Sequence, residues 1–250
     1  MRLESLRIKN FRSLEDVPID NLKNVNVFVG SNNSGKSSVL EALRFVVHAC
    51  RENPFPLRGG YDEVVSSHNS QRNVQLTLEI SLSSTERERL LKELFARNTT
   101  LDLEKVKSSR FMSRLRYAFE FSRQWLAEES LECSDFLDGH VILISRKARN
   151  GGWTDTCVNL SAACTKLAAE KMGQPELEDR GSRAPPPSRI LEPGPYQDRK
   201  EYLLLELVRE HFSRWRFLNP VKASSTTVSP QEMMDLSADG GNLPAVLNTI

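Results

Sequence analysis

A phosphate-loop motif constrains this chain more than any other feature of its sequence. The residues from Gly30 to Ser37 read GSNNSGKS and fit the pattern G-x-x-x-x-G-K-[ST]. An apolar, β-branched run at residues 25–29 precedes the motif, and an amphipathic pattern from Lys36 to about Cys50 follows it. This order of strand, loop and helix is the context that the motif requires, and it argues against a chance Gly/Ser-rich turn. The sequence therefore predicts a site for a nucleoside triphosphate.

Each residue type in the motif has a chemical reason. Gly30 lets the chain turn off the strand, and Gly35 lets the backbone approach a phosphate closely. Backbone N–H groups and the helix N-terminus form an anion site, to which Lys36 adds a mobile positive charge. The Ser37 hydroxyl is placed to bind Mg²⁺, and asparagines tolerate left-handed turns. The predicted cofactors are ATP and Mg²⁺, with Ser37 as metal ligand and the nucleotide held by Gly30, Asn32, Asn33, Ser34, Gly35, Lys36, Ser37 and Ser38.

Composition narrows the setting without selecting a partner. The chain has 250 residues, enough for one large domain or two small ones. Its 34 basic and 33 acidic residues leave a net charge of +1, which argues neither for nor against nucleic acid. The four cysteines show no C-x-x-C pairing, so reduced thiols in a cytoplasmic protein are expected. No apolar run approaches membrane-spanning length, and we expect no membrane partner.

Hydrophobic periodicity and turn signals predict the remaining elements. Three strands precede the first helix, at residues 2–9, 14–19 and 25–29. A proline- and glycine-rich stretch at 173–195 is expected to be mobile. Further strands are predicted at 74–82, 114–121, 140–147, 153–160 and 216–219, with a hairpin loop longer than two residues at 149–152, and further helices at 84–97, 161–172, 197–215 and from 242.

Two sequence stretches resemble a known family. The opening L-x-x-L-x-I-x-N-F-R-S and the run VFVGSNNSGKSSVLEAL are similar to ABC-type ATPase heads of the SMC, RecF and OLD group. The double asparagine at Asn32 and Asn33 is more similar to OLD-family ATPases, and segments 216–220 and 236–247 resemble a paired element of OLD-like proteins. The resemblance implies an α/β phosphate-loop fold with a central sheet around residues 25–29. An antiparallel β layer from 1–20 and 74–82 and a helical insertion complete the expected head.

The same resemblance implies further site residues. Arg12 would border the nucleotide, the alternative being a solvated turn arginine. Arg58 loosely matches an arginine of SMC-like heads, while Gln71 and Gln197 are alternatives for the metal-sensing glutamine. We find no apolar strand ending in Asp-Glu, and residues 236–240 have the wrong spacing for an ABC signature, which favours a helix-entry loop.

The expected function follows from these matches and departures. The chain is predicted to be the ATP-binding N-terminal part of an OLD- or RecF-like ATPase in DNA repair or phage defence. Hydrolysis would need elements absent from these residues. Expected partners are ATP, a second head (a homodimer or a partner subunit) and DNA. The alternative is a non-hydrolysing regulatory or assembly subunit, complete at this length. The expected divisions are a nucleotide-binding β core at 1–82, an insertion at 83–196 and a return to the head at 197–250.

Overall fold

The structure, a computed structural model, describes residues 1–51, 61–65, 73–95, 112–123, 126–136, 139–149, 152–158, 177–179 and 200–217. It divides into a unit at 1–213 and a second unit from 214, of which only residues 214–217 are described. The described helices are α1 (Lys36–Arg51), the single turn α2 (Tyr61–Val64), α3 (Ser84–Phe95) and α4 (Lys200–Ser213). The strands are β1 (Arg2–Phe11), β2 (Leu14–Ile19), β3 (Val74–Ser81), β4 (Arg114–Phe121), β5 (Leu126–Phe136), β6 (Gly139–Arg149), β7 (Gly152–Val158) and β8 (Leu177–Asp179).

One antiparallel sheet contains all eight described strands. Their order is β2-β1-β3-β4-β5-β6-β7-β8, so β1 lies between its hairpin partner β2 and the later strand β3. Leu6 of β1 is opposite Ile19 on one side and Leu78 on the other. This register confirms the antiparallel layer predicted from residues 1–20 and 74–82.

Strict alternation gives the sheet one apolar face. Along β3, Val74, Leu76, Leu78 and Ile80 are buried, and the residues between them are only partly covered. This two-residue period is the one expected of a strand with a single covered face. Helix α1 packs against β1 and against α4. The architecture of the described unit is therefore two-layered, with helices on the apolar face of the sheet.

An aromatic cluster joins the helix layer to the sheet. The Phe45 ring of α1 contacts Phe11 of β1, Phe119 and Phe121, with centroid distances of 5.7, 6.5 and 5.5 Å. Phe212 of α4 reaches Tyr117 at 6.0 Å. Large aromatic side chains bury much apolar area per residue, so these contacts fix α1 over the sheet.

A charged pair lies in the same interior. Arg146 of β6 and Glu129 of β5 are opposite each other in the register, and both are buried. Arg146 Nη1 donates to Glu129 Oε2 at 3.2 Å, and the Tyr117 hydroxyl donates to Glu129 Oε1 at 2.5 Å. Burial, together with the Glu129 carboxylate, raises the pKa of Tyr117 well above its ordinary value, so the phenol stays protonated.

The structure corrects the prediction of a strand at residues 25–29. None of the described strands pairs with it, and the chain from residue 22 to residue 30 is irregular. Val25, Val27 and Val29 are 80%, 79% and 89% exposed. A β-strand requires neighbouring strands for its backbone hydrogen bonds, and an apolar run indicates only that a segment could be buried. The described part of the chain supplies no such neighbour.

The structure differs from the predictions at four further places. The strand predicted at 216–219 is not seen at Arg216 and Phe217. Part of the stretch expected to be mobile instead pairs with β7 as strand β8. Arg149 is opposite Gly152, so two residues connect β6 to β7, rather than the longer loop expected. Strand β5 was missed because its inward positions include Glu129, which breaks the apolar alternation.

Other predictions agree with the structure or lie beyond it. The bounds of α1, α3 and α4 agree within a few residues with the predicted helices. The helices predicted at 161–172 and from 242 lie outside the described residues, as does the remainder of 173–195. No helix in the described ranges has the length and apolar character needed to cross a membrane.

Candidate nucleotide-binding site

The phosphate loop connects the sheet to α1. The segment that leads into it is anchored where Leu22 N–H donates to Glu4 O of β1 at 2.8 Å. Asn26 then bonds to the backbone of Lys23, as acceptor at 2.9 Å and as donor at 2.7 Å. Beyond these contacts the loop lies at the surface and is exposed from residue 30 to residue 34. The site is therefore open to a ligand from solvent.

Lys36 folds back over the loop that precedes it. Its ammonium Nζ donates to Gly30 O at 2.8 Å, to Ser31 O at 2.5 Å and to Ser34 Oγ at 3.1 Å. A turn between Ser31 and Ser34, with an N–H to O distance of 3.3 Å, closes the same loop. The ammonium is thus held against the loop, and it provides positive charge beside the N-terminus of α1.

Both motif glycines lie close to neighbouring side chains, and the backbone of Gly35 also has a positive φ. A Cβ at Gly30 would lie 2.8 Å from Ser34 Oγ, inside van der Waals contact. Gly35 has a φ of +86°, and a Cβ there would lie 2.8 Å from Leu14 Cδ2 of β2. Asn33 has a φ of 65°, which confirms the predicted left-handed turn at this asparagine. A larger residue at Gly35 would therefore be strained by its positive φ and would also displace Leu14.

Helix α1 begins directly after the loop. Val39 N–H donates to Gly35 O at 3.0 Å as the helix begins, so the N–H groups of the preceding residues have no such intrahelical partner. The first turn of α1 contains no acidic residue, and its last turn carries His48 and Arg51. Both features suit an anion at the N-terminus, where the helix dipole is positive. The Ser37 side chain is exposed at this end, and its hydroxyl can reach a metal ion.

The turn between β1 and β2 packs beside the loop and α1. Ser13 Oγ lies 3.1 Å from Ser38 Oγ, and Leu14 approaches Gly35 as described above. Arg12 Nη1 forms an ion pair with Glu41 Oε2 of α1 at 2.6 Å. These contacts place Arg12, a predicted site residue, against α1, the helix that begins with Lys36 and Ser37.

The structure therefore brings most of the predicted nucleotide-binding residues close together. Their roles as ligands of ATP and Mg²⁺ stay predictions. Lys36 contacts Gly30 and Ser34, while Gly35 and Ser38 lie against the β1–β2 turn. Asn32 and Asn33 are exposed on the loop. Arg58, Gln71, Gln197 and residues 236–240 lie outside the described residues.

Three residues near the loop were missed by sequence reasoning. Ser13, Leu14 and Glu41 touch Ser38, Gly35 and Arg12 respectively. Ser13 and Glu41 lie within the two matching stretches, NFRS and GKSSVLEAL, and Leu14 directly follows the first of them. The spacing alone does not show that these stretches meet in space.

The comparisons with known proteins agree with this geometry. The family described as "AAA ATPase domain" matches residues 1–166. A DNA replication and repair protein RecF from Lactococcus lactis subsp. cremoris is 34% identical over 89 residues, which are 34% of this chain and 25% of the relative. Endonuclease GajA from Bacillus cereus is 32% identical over 96 residues, 38% of this chain and 16% of the relative. The matched region thus spans a quarter or less of the length of these relatives.

A solved structure gives a more distant likeness. A chain from work on ATP-driven dimerization and DNA-stimulated activation of SMC ATPases is 15% identical, with a TM-score of 0.34. That match covers 53% of this chain and 69% of the solved chain, and it is too distant to support an argument.

The family match includes the phosphate loop, all of α1 and the sheet from β1 to β7. Together with the RecF and GajA relatives it confirms the resemblance to ATPase heads of the RecF and OLD group. Because the match extends over residues 1–166 of 250, the chain belongs to the AAA ATPase domain family.

Proposed function

We propose that this chain binds ATP with Mg²⁺ at the phosphate loop, as the nucleotide-binding part of an ATPase head that acts on DNA in repair or phage defence. The observation that supports this best is the position of the Lys36 ammonium, held by two loop carbonyls beside the N-terminus of α1. The RecF relative, a DNA replication and repair protein, and the GajA relative, an endonuclease, support the link to DNA.

The residues present fit a nucleotide. Backbone N–H groups at the start of α1 would hold the phosphates, since the first turn contains no competing carboxylate. The Lys36 ammonium would exchange its bonds to Gly30 O, Ser31 O and Ser34 Oγ for bonds to phosphate oxygens. The Ser37 hydroxyl would bind Mg²⁺, which prefers oxygen ligands and keeps several waters. Asn32, Asn33 and Ser34 would line the loop, and Arg12 would add a second cation from the β1–β2 turn.

The proposed working event is engagement of two heads around ATP, either as a homodimer or with a partner subunit. Phosphoryl transfer depends on positioned charges around the transferred group, and further residues must surround it. No group of three or more metal-binding side chains is found in the described ranges. Because the sequence also contains no apolar strand that ends in Asp-Glu, we propose that the residues for hydrolysis come from outside this chain.

The decisive variant is Lys36→Ala. Charge-assisted hydrogen bonds contribute roughly 1.5–3 kcal/mol each, so loss of the ammonium should weaken Mg²⁺–ATP binding by at least about tenfold. Isothermal titration calorimetry on the purified chain and the variant measures this effect. Lys92→Ala removes an exposed lysine that pairs with Glu88 on α3; this variant is the control and should bind as the unchanged chain does.

Two outcomes would contradict the proposal. Equal ATP affinity in the Lys36→Ala variant would exclude the loop as the binding site. Steady-state ATP turnover of about one per second that disappears in the variant would show that this chain already contains the hydrolytic residues. Absence of turnover together with loop-dependent binding is the expected result.

A further inference from the structure

The ion pair between Arg12 and Glu41 lies on the same face of α1 as the predicted metal ligand. Glu41 follows Ser37 by four residues, a spacing that places both side chains on one face of a helix, one turn apart. The contact between Arg12 Nη1 and Glu41 Oε2, at 2.6 Å, therefore brings the guanidinium to the Ser37 side of the helix.

The backbone that carries Arg12 is held from several directions. Arg12 has a φ of 51°, a conformation that non-glycine residues rarely adopt, and its N–H donates to Val64 O at 2.7 Å. Phe11, just before it, forms a β-bridge with Val65 and packs its ring on Phe45 of α1. Such a conformation persists where surrounding contacts fix it. The position of the Arg12 backbone is thus set by the fold, and its side chain is attached to α1 through the ion pair with Glu41.

The ion pair with Glu41 leaves most N–H donors of the Arg12 guanidinium available for a ligand. Arginine has five N–H donors in a planar fork, and the ion pair with Glu41 is made through Nη1. Within the described ranges the Arg12 guanidinium forms no other ion pair or hydrogen bond, and the side chain is 42% exposed. A fork that is held at one corner can still donate to a phosphate with its other corners.

We propose that Glu41 is a positioning residue of the nucleotide site: its carboxylate holds Arg12 so that the remaining N–H donors meet a phosphate of bound ATP. This inference rests on the proposed function, because it concerns the same loop and ligand. Glu41 itself touches no phosphate and acts only through Arg12.

A double-mutant cycle tests this role. Glu41→Gln keeps the shape of the side chain and removes its charge, and Arg12→Ala removes the guanidinium. Exposed ion pairs have modest coupling, so Glu41→Gln should weaken Mg²⁺–ATP binding by about two- to fivefold. In the Arg12→Ala background the same change should have no further effect, because Glu41 then has no guanidinium to position.

The controls separate positioning from structure. Glu93→Gln removes an exposed ion pair with Arg89 on α3 and should leave ATP affinity unchanged. A merely structural role of Glu41 would give an additive loss in the Arg12→Ala background, parallel to a loss of thermal stability. An additive loss, unchanged affinity or tighter binding in Glu41→Gln would each overturn the inference. Failure of the proposed function is seen separately, as equal ATP affinity of Lys36→Ala and the unchanged chain.

Discussion

Arg146 and Glu129 face each other inside the sheet, at 1% and 0% side-chain exposure. Removing charges from water is unfavourable, and the mutual attraction of a buried pair offsets this cost only with good geometry and further hydrogen bonds. The Tyr117 hydroxyl gives Glu129 such a bond, and the cation of Arg146 lies on the other carboxylate oxygen. The three side chains join β4, β5 and β6, and each depends on the others for its burial.

The first prediction at this scale concerns Arg146→Met. Removing the cation leaves the Glu129 carboxylate buried without it, and breaking a buried pair typically costs about 3–5 kcal/mol. The double variant Arg146→Met with Glu129→Gln should recover most of this loss, because Gln still accepts from Tyr117 and carries no charge. Urea unfolding at pH 7 measures both values.

A matched pair on the outer face of the same sheet is the control. Arg116 and Glu132 are also opposite each other across β4 and β5, but the Arg116 side chain is 41% exposed. Arg116→Met should change the free energy of unfolding by less than about 1 kcal/mol. Equal effects of Arg116→Met and Arg146→Met would show that burial does not govern the Arg146 pair.

At the scale of elements, helix α3 begins with a capping box. Ser83 Oγ accepts from Glu86 N–H at 3.3 Å, and Ser83 N–H donates to Glu86 Oε2 at 3.0 Å. The Glu86 carboxylate also pairs with the N-terminal ammonium of Met1. Burial alone would raise the pKa of Glu86, but the ammonium and the Ser83 donors outweigh it and lower the pKa to about 2. The carboxylate thus ties the start of α3 to the start of β1.

The pH dependence of stability follows from this lowered pKa. Glu86 has an ordinary pKa of 4.5 in the unfolded chain, so its contribution is fully present above that pH and is lost as the pH falls towards 2. We expect the unchanged chain to lose more stability than Glu86→Gln between pH 5 and pH 3. The difference should stay below about 1 kcal/mol because 42% of the Glu86 side chain is exposed and solvent screens its ion pair.

Urea unfolding at several pH values checks this expectation. Glu93→Gln, which removes one carboxylate near the other end of the same helix, is the matched variant. A Glu86→Gln variant with the same pH profile as the unchanged chain would show that the capping carboxylate titrates equally in the folded and unfolded states.

Sequence predicts best those helices and strands that bury one face, because their apolar residues then recur at a regular spacing. Strands β3 and β4 alternate along their whole length and β1 alternates in its middle, while α1 follows a motif that fixes its first residue. Strand β5 could not be found, because Glu129 stands at an inward position and is neutralised only by a side chain 17 residues later. The contacts of the loop with Ser13 and Leu14 were also beyond local patterns, since they depend on how the hairpin packs on α1.

At the scale of the whole molecule, the described strands form an antiparallel sheet that leaves residues 25–29 outside it. The sequence of this segment and its exposure in the structure disagree. Its sequence is that of a strand covered on both faces, whereas its valines are almost fully exposed. Exposed apolar segments with unpaired backbone groups promote self-association. We therefore expect the isolated chain to associate through this segment as its concentration rises.

Val27→Lys tests this expectation. With 79% exposure, the replacement of Val27 should change the free energy of unfolding by no more than about 0.5 kcal/mol. It should also reduce self-association, because a lysine on an unpaired strand disfavours pairing with another chain. Asn24→Lys is the matched control, since it adds the same charge to the same exposed segment and removes no apolar side chain. Light scattering over a concentration series and urea unfolding measure the two effects.

If Val27→Lys lowered the free energy of unfolding by more than about 2 kcal/mol, while Asn24→Lys did not, Val27 would be buried in solution. Residues 25–29 would then be a paired strand of the sheet, as their sequence predicts.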